Sequence, residues 1–129
     1  MKVAVLLAAT ALVAGCGSNS GGSPDQPRYD LTIIYWPLGR GGDAGPRSAT
    51  LTCDPDGGSH PDPAKACDAL LGHEDALRPV AGNVACTEIY GGPQLAIVSG
   101  PKVHASFNRT NGCEIARWEA LAPLLELPG

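Results

Sequence analysis

Bulky apolar side chains are scarce in this chain. Its 129 residues hold one Phe, one Met and two Trp. A core must therefore be built from Leu, Ile, Val, Ala and the two Trp. Basic residues are also few: nine Lys and Arg stand against 13 Asp and Glu, for a net charge of −4. No basic stripe is present, which argues against nucleic acid as a partner. Charged residues make up 17 % and hydrophobic residues 43 %, a mix that rules out wholesale disorder. The apolar run Val3–Val13 falls short of the roughly 20 residues needed to cross a bilayer. No Cys-x-x-Cys pair occurs, which disfavours a zinc ribbon or a thioredoxin-like redox site.

What the chain has in plenty is 17 Gly, 12 Pro and five Cys. Its length allows one domain at most. A small turn-rich domain usually needs covalent staples, so the cysteines come first. Met1-Lys2, the apolar run and the ending Leu12-Val13-Ala14-Gly15-Cys16 read as a secretory signal. The ending resembles a bacterial lipobox, in which Cys16 is lipidated and becomes the mature N-terminus. This reading makes residues 1–15 a lipoprotein signal peptide. Residues 16–28, rich in Gly and Ser, become a flexible tether, and 29–129 the folded domain. The expected location is the extracytoplasmic face of a bacterial cell membrane, held by the lipid anchor.

Four cysteines then remain in the domain: Cys53, Cys67, Cys86 and Cys113. An even count outside the cytoplasm implies two disulfides. The sequence allows three connectivities, and the sequential pairing Cys53–Cys67 and Cys86–Cys113 is preferred.

Tyr29–Trp36 is rich in β-branched and aromatic residues and predicts a strand stopped by Pro37; Arg47–Cys53 predicts a second. The glycine-rich stretch Leu38–Pro46 between them is a turn, since no Lys-Ser/Thr follows as in a phosphate-binding loop. Asp62 caps a helix with Pro63 in its first turn and Gly72 at its end. Ala66, Cys67, Leu70 and Leu71 form its apolar side. His73–Gly82 reads as irregular. Gln94–Ser99 and Val103–Asn108 predict strands joined at Gly100-Pro101, with Val103, Ala105 and Phe107 on one face. Ile115, Trp118, Leu121 and Ala122 predict a short helix over Glu114–Ala122, ended by Pro123. The expected fold class is α+β: an antiparallel sheet of about five strands, two helices on one side and two disulfides.

His60, His73 and His104 share no metal-ligand spacing and read as surface residues. Ser59, His60 and Asp62 lie too close in sequence for a triad, which is assembled across a fold. With the thiols consumed, the chain is not expected to be an enzyme. No cofactor or metal is expected either. The segment Cys86-Thr87-Glu88-Ile89-Tyr90-Gly91-Gly92-Pro93 is sharper. It is extended chain pinned by a disulfide at one end and turned by Gly-Gly-Pro at the other. Proteases bind extended chain, and a pre-extended loop has less entropy to lose on binding.

From Leu31 to Arg117 the chain resembles the Streptomyces-type subtilisin inhibitor family. The resemblance is carried by Thr50-Leu51-Thr52-Cys53-Asp54-Pro55, by Gly58-Ser59-His60-Pro61 and by Ala64–Leu70 around Cys67. Cys86–Tyr90 and Phe107–Cys113 complete it. It implies a five-stranded antiparallel sheet with two helices, the sequential disulfides, and a possible homodimer. It also implies inhibition of serine proteases through a substrate-like loop whose cut bond is religated. By position, Cys86 anchors the loop, Thr87 precedes the specificity residue, Glu88 occupies the primary specificity position P1, and Ile89 and Tyr90 follow the scissile bond Glu88–Ile89. Asn111 and Cys113 are expected to support the loop, Asn111 through its side chain.

The chain departs from the family at Glu88, where Met or Lys is common. The primary pocket of subtilisin is mainly apolar, and burying an unpaired carboxylate there costs several kcal/mol. A glutamate-specific serine protease with a cationic or polar pocket fits better than subtilisin as partner. Residues 118–129 do not match the family's C-terminal strand, and the second hairpin is short. The alternative expectation is a non-inhibitory binding or structural lipoprotein on the same scaffold.

Overall fold

The computed structural model describes residues 26–129. The signal peptide, Cys16 and residues 16–25 of the tether lie outside the described residues. Arg28, at the tether's end, is tied to the domain: its N–H donates to the Asp54 carbonyl (3.3 Å) and its guanidinium pairs with Glu74 (2.7 Å).

Two strands, β1 (Tyr29–Trp36) and β2 (Arg47–Cys53), form where the β-branched runs predicted them. After the helix α1 (Pro63–Gly72) come β3 (Leu95–Ser99), β4 (His104–Asn108) and the helix α2 (Gly112–Leu125). The strands form one antiparallel sheet in the order β2-β1-β3-β4. Register aligns the apolar positions across all four: Ile33 faces Ala49 on one side and Val98 on the other, and Val98 faces Ala105. Leu31, Ile33, Leu51, Ala96, Val98 and Phe107 are thereby buried on one face, which the helices cover. The opposite face carries half-buried Ile34, Trp36, Leu95 and Ile97 among exposed Thr and Ser.

The α+β expectation holds, with four strands among the described residues. The C-terminal segment is helical rather than a fifth strand. Trp118, Leu121, Leu124 and Leu125 fall at helical spacing and are completely buried. Pro123 does not end α2 as expected but sits inside it. Proline removes one backbone donor and crowds the preceding turn. Burial of Leu124, Leu125 and Leu127, worth roughly 2 kcal/mol per side chain, offsets that loss.

His60 is a second correction. It is not a surface residue but 5 % exposed. Its Nδ1 accepts from the Asp62 N–H at 3.0 Å, which leaves Nε2–H to donate to the Leu124 carbonyl at 3.2 Å. It satisfies one of the orphan carbonyls at the end of α2. His104 is exposed as expected, and so is His73, whose ring lies 3.1 Å from the Ala69 carbonyl at the end of α1.

α1 starts as predicted, with the Asp62 carboxylate accepting from the Lys65 N–H at 3.1 Å. Ala66, Cys67 and Leu70 are buried, but Leu71 is 38 % exposed and does not belong to the apolar side. The stretch read as irregular contains a short 3-10 turn, Glu74–Leu77. Its carbonyls are held from far along the chain: Arg117 donates to Ala76 (2.7 Å) and Leu77 (3.4 Å). The Cys53–Cys67 disulfide joins the end of β2 to α1, with Cα atoms 5.6 Å apart.

Candidate functional site: the disulfide-anchored loop

Residues 85–92 run without helix, strand or turn from the 3-10 region toward β3. Thr87, Glu88, Ile89 and Tyr90 are all exposed. Ile89 is 58 % and Tyr90 67 % exposed, side by side in the chain. Among the described residues, Glu88 makes no ion pair. The C-terminal segment packs into the core and does not cover the loop.

Both flanks of the exposed stretch are fixed to the segment Arg109–Cys113. On the N-terminal side, the Cys86–Cys113 disulfide holds Cα atoms 5.3 Å apart. One residue on, the Gly112 N–H donates to the Thr87 carbonyl at 2.8 Å. On the C-terminal side, the Gly91 N–H donates to the Arg109 carbonyl at 2.7 Å, and Arg109 Nε donates to the Gly91 carbonyl at 3.2 Å. Glu88, Ile89 and Tyr90 are left spanning the interval between these holds.

Glycines allow the close approach. A Cβ on Gly112 would collide with Thr87 Oγ1, and one on Gly91 would lie 2.8 Å from Ile115 Cδ1. Gly92, at φ +125°, turns the chain back toward β3. The end of the loop then meets the β1–β2 connection, where a Cβ on Gly39 would lie 3.0 Å from the Pro93 carbonyl oxygen.

Asn111 serves the loop differently from expectation. Its side-chain oxygen accepts from the Glu114 N–H at 2.9 Å and caps α2. It thus fixes where the helix starts, and the first residue of that helix is Gly112, which holds Thr87. Cys113 occupies the next position and carries the disulfide.

Sequence reasoning did not single out Arg109 or Gly112. Glycine in the first turn of a helix is a poor helix former, and that was the available signal for Gly112. Arg109 gave none, because its partners Gly91 and Glu119 are brought together only by the fold. Cys53, Asp56 and Cys67 lie within 4.8 Å of one another, but both sulfurs are spent in a disulfide and cannot ligate a metal.

These features define a small disulfide-stapled α+β domain that presents one exposed, doubly held loop. A family model described as subtilisin inhibitor-like matches residues 32–101, more than half of the chain. The chain belongs to this family, a family of protease inhibitors whose partners are serine proteases. The match contains Cys53, Cys67, Cys86 and the whole exposed loop, and it stops before β4 and α2. A search of curated proteins returned no match.

Proposed function

We propose that this chain is a serine protease inhibitor that acts by a substrate-like loop, with Glu88 at the specificity position and Glu88–Ile89 as the scissile bond. The observation that carries the reading is the exposed stretch Thr87–Tyr90 held on both sides by Arg109–Cys113. A protease reads its substrate as extended chain. A loop already extended and fixed loses little conformational freedom when it binds. After the bond is cut, the same holds keep the two new ends together, so religation competes with hydrolysis.

Glu88 sets the partner. Its carboxylate is exposed and makes no ion pair among the described residues, so transfer to an apolar pocket carries a desolvation cost. A protease with a cationic or polar primary pocket removes that cost, and the reading is a glutamate-specific serine protease. The lipobox reading of Cys16 places the inhibitor on the extracytoplasmic face of the membrane. The half-buried apolar residues Ile34, Trp36, Leu95 and Ile97 offer the surface for the homodimer that family membership suggests.

The test is a titration of the disulfide-bonded protein against subtilisin and against a glutamate-specific serine protease, followed by sequencing of any cut product. Tight inhibition with slow cleavage at Glu88–Ile89 is the expected result. Absence of inhibition of both, with the loop untouched or rapidly cut, overturns the proposal and leaves the fold serving another purpose.

A further inference from the structure

The two sides of the exposed loop are held by different kinds of contact. The Thr87 side has a covalent bond next to it. The Gly91 side has none and depends on Arg109. Gly91 offers one N–H and one carbonyl, and Arg109 engages both, the first through its backbone and the second through its side chain. The Arg109 side chain is itself fixed. It pairs with Glu119 of α2 at 2.9 Å, lies 5.9 Å from the Trp118 ring centroid, and is 16 % exposed. Trp118 is completely buried. The Arg109 guanidinium thereby adds a side-chain link between the C-terminal half of the loop and the core to the backbone bond at the Gly91 N–H.

We infer that Arg109 is a positioning residue that retains the leaving-group side of the loop after cleavage, so that the bond is remade instead of hydrolysed. This rests on the inhibitor reading above. In the acyl-enzyme, the Glu88 carbonyl carbon is esterified to the protease serine oxygen, and Ile89 carries a free amine. Religation joins that amine to the carbonyl carbon and expels the serine oxygen. The amine proton passes to that oxygen through the general base of the protease. Water competes for the same carbon. Only Ile89 and Tyr90 separate the amine from the hold on Gly91, a reach of roughly 7 Å at the length of an extended residue. With Gly91 held, attack by the amine is effectively intramolecular. Without the guanidinium, Gly91 is held by the backbone bond alone, the amine stays near the carbonyl carbon for less of the time, and water competes better.

The experiment compares the parent protein with Arg109→Leu, Arg109→Lys and Glu119→Gln, using whichever of subtilisin and a glutamate-specific serine protease the parent inhibits. Three quantities are measured: the inhibition constant, the steady-state rate of hydrolysis at Glu88–Ile89, and the return of isolated cut protein to the intact form on incubation with protease. Arg109→Leu is expected to be hydrolysed at least about tenfold faster, the scale of one lost charge-assisted hydrogen bond, and to return from the cut form more slowly than the parent. Glu119→Gln keeps the Nε–Gly91 bond and serves as the structural control, with hydrolysis within about threefold of the parent. If Arg109→Leu does not fold, Arg109→Lys, which keeps a cation facing Glu119 without the Nε donor, decides in its place. Unchanged hydrolysis and return in a folded Arg109 variant, beside a parent that inhibits, overturns the inference alone. A parent that inhibits neither protease overturns the inhibitor reading and this inference with it.

Discussion

Gly112 lies directly beneath Thr87, with its N–H donating to the Thr87 carbonyl at 2.8 Å and the place of its missing Cβ taken by the Thr87 hydroxyl. The first residue of α2 therefore serves as the seat of the exposed loop, and it has to be the smallest residue.

Gly112→Val is expected to separate stability from inhibition. The branched side chain pushes Thr87 off its seat and breaks the 2.8 Å hydrogen bond. Replacing a helical glycine otherwise favours the helix by a few tenths of a kcal/mol. Inhibition should weaken by about tenfold or more, the scale of one lost hydrogen bond, while Tm moves by a few degrees at most. Inhibition assays beside thermal unfolding check this.

Glu88→Met and Glu88→Lys should leave Tm within the scatter of ordinary surface substitutions, about 0.5 kcal/mol, because Glu88 is exposed and makes no ion pair among the described residues. Subtilisin inhibition should strengthen by at least about tenfold, since no unpaired carboxylate then enters an apolar pocket. Inhibition of a glutamate-specific protease should fall in the same variants. Equal inhibition constants for parent and variants would show that residue 88 does not fill the primary pocket.

The two disulfides should fail in different ways. Cys53–Cys67 ties β2 to α1 across 14 residues, and its double replacement by Ala should lower stability by about 3 kcal/mol. Inhibition below the new Tm should persist. Cys86–Cys113 holds the loop, and its double replacement by Ser should turn the protein into a substrate cut at Glu88–Ile89. Denaturant midpoints and product sequencing distinguish the two outcomes.

Stability should fall on the alkaline side. Burial holds the phenols of Tyr29 and Tyr35 above their usual value of 10.0. The hydrogen bond to Glu74 adds to this at Tyr29, and the charge of Glu126 adds to it at Tyr35. Both groups are raised in the folded state, so their contribution is complete below pH 10 and is lost as pH rises through the folded values. Tm measured from pH 8 to 11 should be flat and then decline, and Tyr29→Phe should make the decline shallower. A Tm independent of pH above 10 would overturn the assignment.

Elements governed by local chemistry were legible in the sequence. Tyr29–Trp36 and Arg47–Cys53 form strands with the predicted limits, because β-branched runs followed by Pro37 in one case and by Asp54-Pro55-Asp56-Gly57-Gly58 in the other leave no competing choice. Asp62 and Pro63 start α1 as any capping residue and N-terminal proline would. The misses share a cause in long-range packing. Pro123 reads locally as a stop, but the leucines beyond it fill the core. His60 reads as a turn residue, but the fold brings it 64 residues away in sequence to the Leu124 carbonyl. The exposed loop was visible in Cys86–Pro93, and family membership supports it. Its holds at Arg109 and Gly112 were not, since the fold alone brings them to Gly91 and Thr87, and a glycine in a first helical turn does not by itself name the neighbour it makes room for.

The two ends of β1 face different worlds. Tyr29 enters the sheet near the Gly100 turn, while Trp36 leaves it opposite Leu95, which in turn pairs with Asn108 at the start of the segment that seats the loop. Seven steps of strand, roughly 23 Å, separate them. Arg28 and Tyr29 therefore lie at the pole away from Glu88. A dye, a bead or a fusion partner attached on that side leaves the approach to Glu88 clear, whereas the same cargo placed in the Leu38–Pro46 connection would stand in the way.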